Sequence, residues 1–374
     1  MLLSRLKLAT KTEPPIRDGT TGTLIYANIL NSTTMKSSTK ATMNYKPLQD
    51  KTIVITGASS GAGRATAIQF ARHGAKIVLA ARNIEALDEV EAICREMGAL
   101  ALAVKTDVTD AEEMKTLAAT AAEFGGSIDV WVNNAGVLAA GEFTETPIEI
   151  HDQVIRTNLM GYIHGAHAVV PYFKRQQYGV LINNISVGGW FPVPYGVGYS
   201  ASKFGLRGFS EALRGELSQY RNIHVCDLFP AFLDTPGIQH AANYSGKILR
   251  PAPPVYDPQK VARSIVSIAQ RPKKSVVIGS VTHLLRFAHF LLPAVTRSVT
   301  AKVVNAYLEK ADAAPETSGN LFAPANYGTS IHGGWNLAAD PQPRKRNLIT
   351  SIAVTGIATG MVIFGIVKMK KKSW

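Results

Sequence analysis

From Lys51 to Gly279 short runs of β-branched and apolar residues alternate with stretches of helical length, and the first run opens directly into a glycine-rich turn. The runs are KTIVIT, AKIVLAA, ALALAVKT, IDVWVNN, GVLINNIS, NIHVCDLF and KSVVIG. Between them, segments such as GRATAIQFARHG and NIEALDEVEAICREMG carry apolar residues at helical spacing. Strands that are apolar throughout, rather than at alternate positions, belong in a sheet covered on both faces. Parallel neighbours need helical crossovers, so the pattern predicts an α/β fold with a doubly wound parallel sheet. About seven strands are expected, with helices on both faces. A composition of 46% hydrophobic and 18% charged residues supplies the core such a sheet needs and excludes a disordered chain. Two cysteines, Cys94 and Cys226, exclude a disulfide scaffold or a Cys-based zinc site.

The net charge of +13 is uneven. Residues 1–50 hold 7 basic and 3 acidic groups, residues 341–374 hold 7 basic and none acidic, and 51–340 is nearly balanced at 26 against 24. A nucleic-acid binder would carry its excess on the folded body, so none is expected as a partner. Leu348 to Val367 is a run of 20 uncharged residues between Arg344-Lys345-Arg346 and the lysines 368 and 370–372. That length spans a hydrocarbon core and predicts a single C-terminal transmembrane helix over residues 347–368, with a basic tail at 369–374. A buried helix is the plainer alternative. Residues 313–346 are rich in Pro, Gly, Asn, Ser and Thr and read as a linker. Residues 1–45 lack apolar periodicity and read as a disordered leader. These boundaries leave a catalytic domain at 46–280, of Rossmann type, and an apolar helical extension at 281–312. The extension covers a pocket, lies at a membrane surface or completes the core. The catalytic domain is expected on the cytoplasmic side of the membrane that the anchor enters.

The turn after the first strand reads Thr56-Gly57-Ala58-Ser59-Ser60-Gly61-Ala62-Gly63. Glycines there let the backbone approach a pyrophosphate, and the following helix offers free N–H groups and a positive dipole end. At the end of the second strand the chain has Ala81 and Arg82 in place of a carboxylate. A guanidinium pairs with a 2′-phosphate, which predicts NADP(H) in preference to NAD(H), with NAD(H) still possible. A surface-loop arginine is the plainer reading. Ser59 and Arg64 would assist Arg82, and Asp107 would accept from the adenine amine.

Five features in order carry a resemblance to the short-chain dehydrogenase/reductase family over residues 48–280. They are T-G-x-x-x-G-x-G at Thr56–Gly63, Asn133-Asn134-Ala135-Gly136, Asn158, Ser186, and Tyr199 with Lys203 in Y-x-x-x-K. Tyr199 and Lys203 share a helix face. A neighbouring ammonium favours phenolate and is expected to lower the phenol's pKa towards neutral. The resemblance implies an oxidoreductase acting on CH–OH groups, with Ser186, Tyr199, Lys203 and Asn158 as the catalytic set. It implies that Ser186 bonds the substrate oxygen, that Lys203 holds the nicotinamide ribose, and that Asn158 holds a water connecting Lys203 to solvent. It also implies that Thr56, Gly57, Ser60, Gly61, Gly63, Asn134, Ala135, Gly136, Tyr199, Pro230 and Thr235 bind the dinucleotide. A homodimer or homotetramer is the implied assembly. One departure is Ala231, where the family commonly has Gly after Pro230. If that position needs φ > 0, alanine is strained there.

Val187 to Pro194 is apolar and aromatic, as a pocket wall for a lipophilic carbonyl or alcohol would be, although core or subunit contacts would look the same. His164 and His167 share a helix face without an evident third ligand, and no metal is expected. A dinucleotide-binding redox sensor or scaffold without catalysis is the competing class. A sensor has no need of Tyr199 and Lys203.

Overall fold

A computed structural model describes residues 48–336. The first half alternates as the sequence predicts. It runs β1 (Thr52–Thr56), α1 (Gly61–Ala71), β2 (Lys76–Ala81), α2 (Ile84–Glu96), β3 (Leu100–Lys105), α3 (Ala111–Gly125) and β4 (Val130–Asn133). After a short β5 (Ala139–Gly141) come α4 (Ile148–Ile155), α5 (Gly161–Gln176) and β6 (Gly179–Asn184). The chain continues through α6 (Val197–Glu216), β7 (Ile223–Pro230), β8 (Ala242–Tyr244), α7 (Gln259–Gln270) and β9 (Ser275–Ile278). Two helices, α8 (Ser280–Leu291) and α9 (Pro293–Lys310), follow.

Seven strands form one parallel sheet in the order β3-β2-β1-β4-β6-β7-β9, and each coincides with one of the seven apolar runs. Alternate residues of β1 explain why the runs are apolar throughout. Ile53 and Ile55 pack with Phe70, Leu87 and Ile265 on one face, while Val54 packs with Met114, Trp131 and Phe173 on the other. The strand order reverses beside β1, where β1 meets β4 instead of continuing outwards, and a crevice for a ligand opens there. The pair β5–β8 forms a separate two-stranded ribbon.

The helical extension is α8 and α9. Its inner side chains face a cavity while Phe287, Phe290 and Leu291 are exposed. Among the described residues no helix is long and apolar enough to cross a membrane. The predicted span at 347–368, the basic tail and the leader at 1–45 lie outside the described residues.

Residues 313–336 are not a tether. They run back across the C-terminal ends of the strands as an irregular strap, bridging Ala313 to Lys247 and Thr317 to Asn243. Leu321 is wholly buried with Val137, Ile150, Val154 and Ala242. Trp335 donates its backbone N–H to Asp234 at 2.8 Å and its indole N–H to the Thr235 carbonyl at 3.0 Å. The glycines that make this stretch look like a linker are needed for close approach. A Cβ on Gly319, Gly328 or Gly333 would lie 2.2, 2.5 or 2.4 Å from His240 O, His240 Nε2 and Thr235 O respectively.

Candidate active site

The C-terminal ends of the strands surround a cavity of about 770 Å³. One end is built by the first turn. Gly57 and Gly61 take φ of +65° and +54°, and a Cβ on Gly57 would lie 2.7 Å from the Ala135 Cα. Helix α1 is preceded by Ser60 with no side-chain cap and has no acidic residue in its first turn, so its positive end suits an anion, although the Gly61 N–H there donates to the Ser330 carbonyl at 3.0 Å. Ser59, Ser60, Arg82, Asp107 and Asn134–Gly136 complete this end of the lining. Asp107 accepts from the Thr109 amide at 2.9 Å and hydroxyl at 2.8 Å.

Three predicted contacts sit behind the wall. The Thr56 hydroxyl is buried. It donates to the Val132 carbonyl at 3.3 Å and accepts from the Asn134 and Ala135 amides at 3.0 and 3.2 Å, so it ties β1 to the loop after β4. Gly63 serves packing, since a Cβ there would lie 2.0 Å from the Gly57 carbonyl oxygen. Asn158 sits in a π-helical turn, Arg156–Met160, where its amide accepts from the Val137 N–H at 2.8 Å and donates to the Val137 carbonyl at 2.9 Å. It pins the loop after β4 and also donates to Ser202 at 3.3 Å. Asn134 lines the cavity and at the same time donates to the Thr56 and Gly57 carbonyls.

At the other end Ser186, Tyr199 and Lys203 meet on the cavity wall. Ser186 follows β6 with φ of 111°, a conformation costing a non-glycine residue about 1–3 kcal/mol and typical of functional sites. Its hydroxyl accepts from the Gly188 N–H at 3.2 Å and shares a hydrogen bond with the Tyr199 hydroxyl. A Cβ on Gly188 would lie 2.9 Å from the Tyr199 ring, so the glycine leaves the phenol its place. The Lys203 Nζ is 5.6 Å from the centre of the Tyr199 ring and 5.2 Å from that of Tyr162. Tyr162, buried behind the wall, is a residue that the motifs do not name. It donates to the Asn184 carbonyl at 2.8 Å and lies four residues after Asn158, as Lys203 follows Tyr199.

The electrostatics differ from the sequence expectation. Burial pushes the Lys203 ammonium down to about 7, and enclosure by protein raises the Tyr199 phenol despite the hydrogen bond with Ser186. Desolvation outweighs the mutual attraction of the two charged forms, and both groups are driven towards neutrality.

Pro230 and Thr235 line the cavity, and the Thr235 side chain packs 3.3 Å from where a Gly61 Cβ would sit. Ala231 has no positive φ; its N–H donates to Ile278 at 3.0 Å, so the departure from Pro-Gly carries no strain. Of the apolar segment after Ser186, Val187, Phe191 and Val193 face the cavity. Trp190 does not, because its ring is stacked 3.3 Å from the Arg207 guanidinium and 3.8 Å from that of Arg286. Tyr195 points away and bonds Asn305 at 2.9 Å. His164 is a packed residue, donating to the Val108 carbonyl at 3.0 Å.

A family model described as short chain dehydrogenase matches residues 51–244. The chain belongs to the short-chain dehydrogenase family. This dehydrogenase is 33% identical over 330 residues to the uncharacterized oxidoreductase YxnA of Bacillus subtilis, covering 85% of this chain and 92% of that one. It is 32% identical over 198 residues to dehydrogenase/reductase SDR family member 7 of Mus musculus, covering 52% and 59%. Among solved structures, an alcohol dehydrogenase from the archaeon Thermococcus sibiricus complexed with 5-hydroxy-NADP matches with a TM-score of 0.54 and 26% identity, over 62% of this dehydrogenase and 97% of that chain. A metagenomic short-chain oxidoreductase in complex with NADP matches with 0.54 and 27%, over 62% and 98%. The family match ends at Tyr244, and the described chain continues through α7, β9, α8, α9 and the strap.

Proposed function

We propose that this oxidoreductase transfers hydride between NADP(H) and a carbonyl or secondary alcohol of a lipophilic small molecule. The observation that carries the reading is the meeting of Ser186, Tyr199 and Lys203 on one cavity whose far end is a glycine turn, a helix N-terminus and Arg82. The residues fit a dinucleotide. Gly57 and Gly61 keep the turn clear of side chains, helix α1 starts without an acid, and Arg82 lines the cavity where an NAD-selective protein would place a carboxylate. The two NADP-bound structural relatives support the same cofactor. Gly57, Ser59, Ser60 and Gly61 would hold the pyrophosphate, Arg82 the 2′-phosphate and Asp107 the adenine. Asn134–Gly136, Lys203, Pro230 and Thr235 would hold the nicotinamide half.

The bound cofactor supplies or accepts the hydride. The chain handles the proton. In reduction the Tyr199 hydroxyl donates H⁺ to the substrate oxygen, and in oxidation it takes that proton back. Ser186, already bonded to the Tyr199 hydroxyl, holds the same oxygen. After reduction the Lys203 ammonium, its Nζ 5.6 Å from the centre of the Tyr199 ring, would return a proton to the phenolate and itself be reprotonated from solvent, and Asn158 is a positioning residue that fixes the loop bearing Val137. Phe191, Val281, Leu284, Leu285, Val303 and Val304 line the substrate side, a surface that excludes water and favours apolar molecules.

The test is turnover of the purified full chain with NADPH or NADH across a panel of apolar ketones, aldehydes and alcohols. NADPH-supported reduction at least about tenfold faster than with NADH is expected from a charge-assisted phosphate contact. Tight NADPH binding with no turnover in either direction would favour the binding-only alternative.

A further inference from the structure

The strap crosses the adenosine end of the cavity, and its contacts fall on residues that the dinucleotide would use. Arg82 spends two of its N–H groups on it, donating from Nη1 to the Leu321 carbonyl at 2.9 Å and from Nη2 to the Asn320 carbonyl. Asn83 donates to the Ala325 carbonyl at 3.1 Å, Arg64 to the Thr329 carbonyl at 2.9 Å, and the Gly61 N–H to the Ser330 carbonyl at 3.0 Å. The strap does not fill the space. Asn320, Pro324, Ala325, Tyr327, Gly328 and Thr329 line the same 770 Å³ cavity as Ser59 and Arg82. A guanidinium has five N–H groups in a rigid fork, so two carbonyls fix its plane and leave donors for an anion. Carbonyls hold the fork without neutralising it, as a carboxylate would. A second observation is independent of Arg82. The Asn320 side-chain oxygen is buried without a hydrogen-bond partner among the described residues, and Asn320 lines the cavity. Such an acceptor is costly unless a ligand donor meets it.

We propose that the strap at 320–330 is the outer wall of the cofactor site: the Asn320 and Leu321 carbonyls position Arg82 for the 2′-phosphate, and the Asn320 side chain accepts a hydrogen bond from the adenosine half. NADP(H) preference therefore belongs to the C-terminal segment as much as to the end of β2. The inference rests on the NADP(H) reading above.

The experiment measures equilibrium affinities of the full chain for NADP⁺ and NAD⁺ in four forms. Wild type is expected to prefer NADP⁺ by about tenfold or more, and Arg82→Gln to lose that preference. Gly319→Ala places a Cβ 2.2 Å from the His240 carbonyl oxygen and displaces the adjoining Asn320 and Leu321 without altering a charged group. It is expected to reduce the preference to less than about threefold, almost entirely through weaker NADP⁺ binding. Asn320→Ala keeps both carbonyls and is expected to weaken the two dinucleotides alike by about fivefold. Should Gly319→Ala fold poorly, amide hydrogen exchange on the wild type reads the same point. Exchange over 318–330 is expected to slow on adding NADP⁺, and less on adding NAD⁺. If Arg82→Gln abolishes the preference while Gly319→Ala keeps it, the strap's role is overturned and the NADP(H) reading stands. If the wild type shows no preference, both fall. Unchanged affinities in Asn320→Ala overturn the side-chain contact, and unchanged exchange with either dinucleotide overturns the wall.

Discussion

The two ends of the cavity are built on different principles. At the catalytic end Ser186 follows β6 and Tyr199 and Lys203 sit on α6, elements fixed by the core. Tyr199 and Lys203 owe their proximity to helix geometry alone, and Ser186 owes its place to the strained turn after β6. At the adenosine end the supporting contacts join residues 265 and 239 positions apart, such as Arg64 with Thr329 and Arg82 with Leu321. Local geometry preorganises the first end, whereas the second is complete only when a distant irregular segment has docked. The catalytic end should therefore respond to substitutions as a chemical unit, and the adenosine end as a folding equilibrium of the strap.

The largest effect expected from breaking this contrast is at the catalytic end. Lys203→Met should lower kcat/KM by about 10²–10³, the range for losing a group in proton handling. It carries a stability signature too. Burial holds the Lys203 pKa down to about 7 against 10.5 for an ordinary lysine. Between those values the unfolded chain binds a proton that the folded chain does not, so this contribution to stability is complete above about pH 10.5 and is lost as pH falls towards 7. Thermal unfolding from pH 7 to 10 should show wild type gaining relative to Lys203→Met. A parallel pair of curves would mean that the ammonium is not desolvated.

Leu321→Ala tests the other end. It empties a fully buried apolar site and should cost about 2–4 kcal/mol in chemical denaturation if the strap folds with the body. An unchanged main transition, with loss confined to NADP⁺ affinity, would show that the strap docks separately and would sharpen the contrast. Smaller still is the effect of pH on rate. With the phenol raised by enclosure, Tyr199 is protonated at neutral pH, so oxidation, which needs phenolate, should climb from pH 6 to 8. Oxidation that levels off below pH 8 would show that cofactor and substrate restore the lowered phenol which charge proximity alone suggests.

What the sequence made legible follows the same division. All seven sheet strands were visible because each is a short apolar run, buried on both faces in the central strands, and the Tyr199–Lys203 pair was visible because helical spacing is local. The β5–β8 ribbon was not, since alanine and glycine at Ala139–Gly141 carry no strand preference. Nor was the bidentate hold of Asn158 on Val137, which depends on a π-helical turn without a sequence signature. Thr56 looked like a ligand contact because it heads the glycine motif, yet its hydroxyl satisfies three backbone groups behind the wall. Gly, Pro, Ser and Asn gave the strap the composition of a linker. The signal against that reading was present in Leu321, Tyr327 and Trp335, large side chains that each find a partner on the body.

The central claim is that the Tyr199 phenol moves the proton while a bound dinucleotide moves the hydride. Its most direct test is dinucleotide absorbance followed with an apolar ketone and NADPH, in wild type and Tyr199→Phe, alongside NADPH affinity for each. The account predicts turnover in wild type, a loss of about 10³ in kcat for the variant and an affinity changed by less than about twofold. A variant that turns over at the wild-type rate would contradict it.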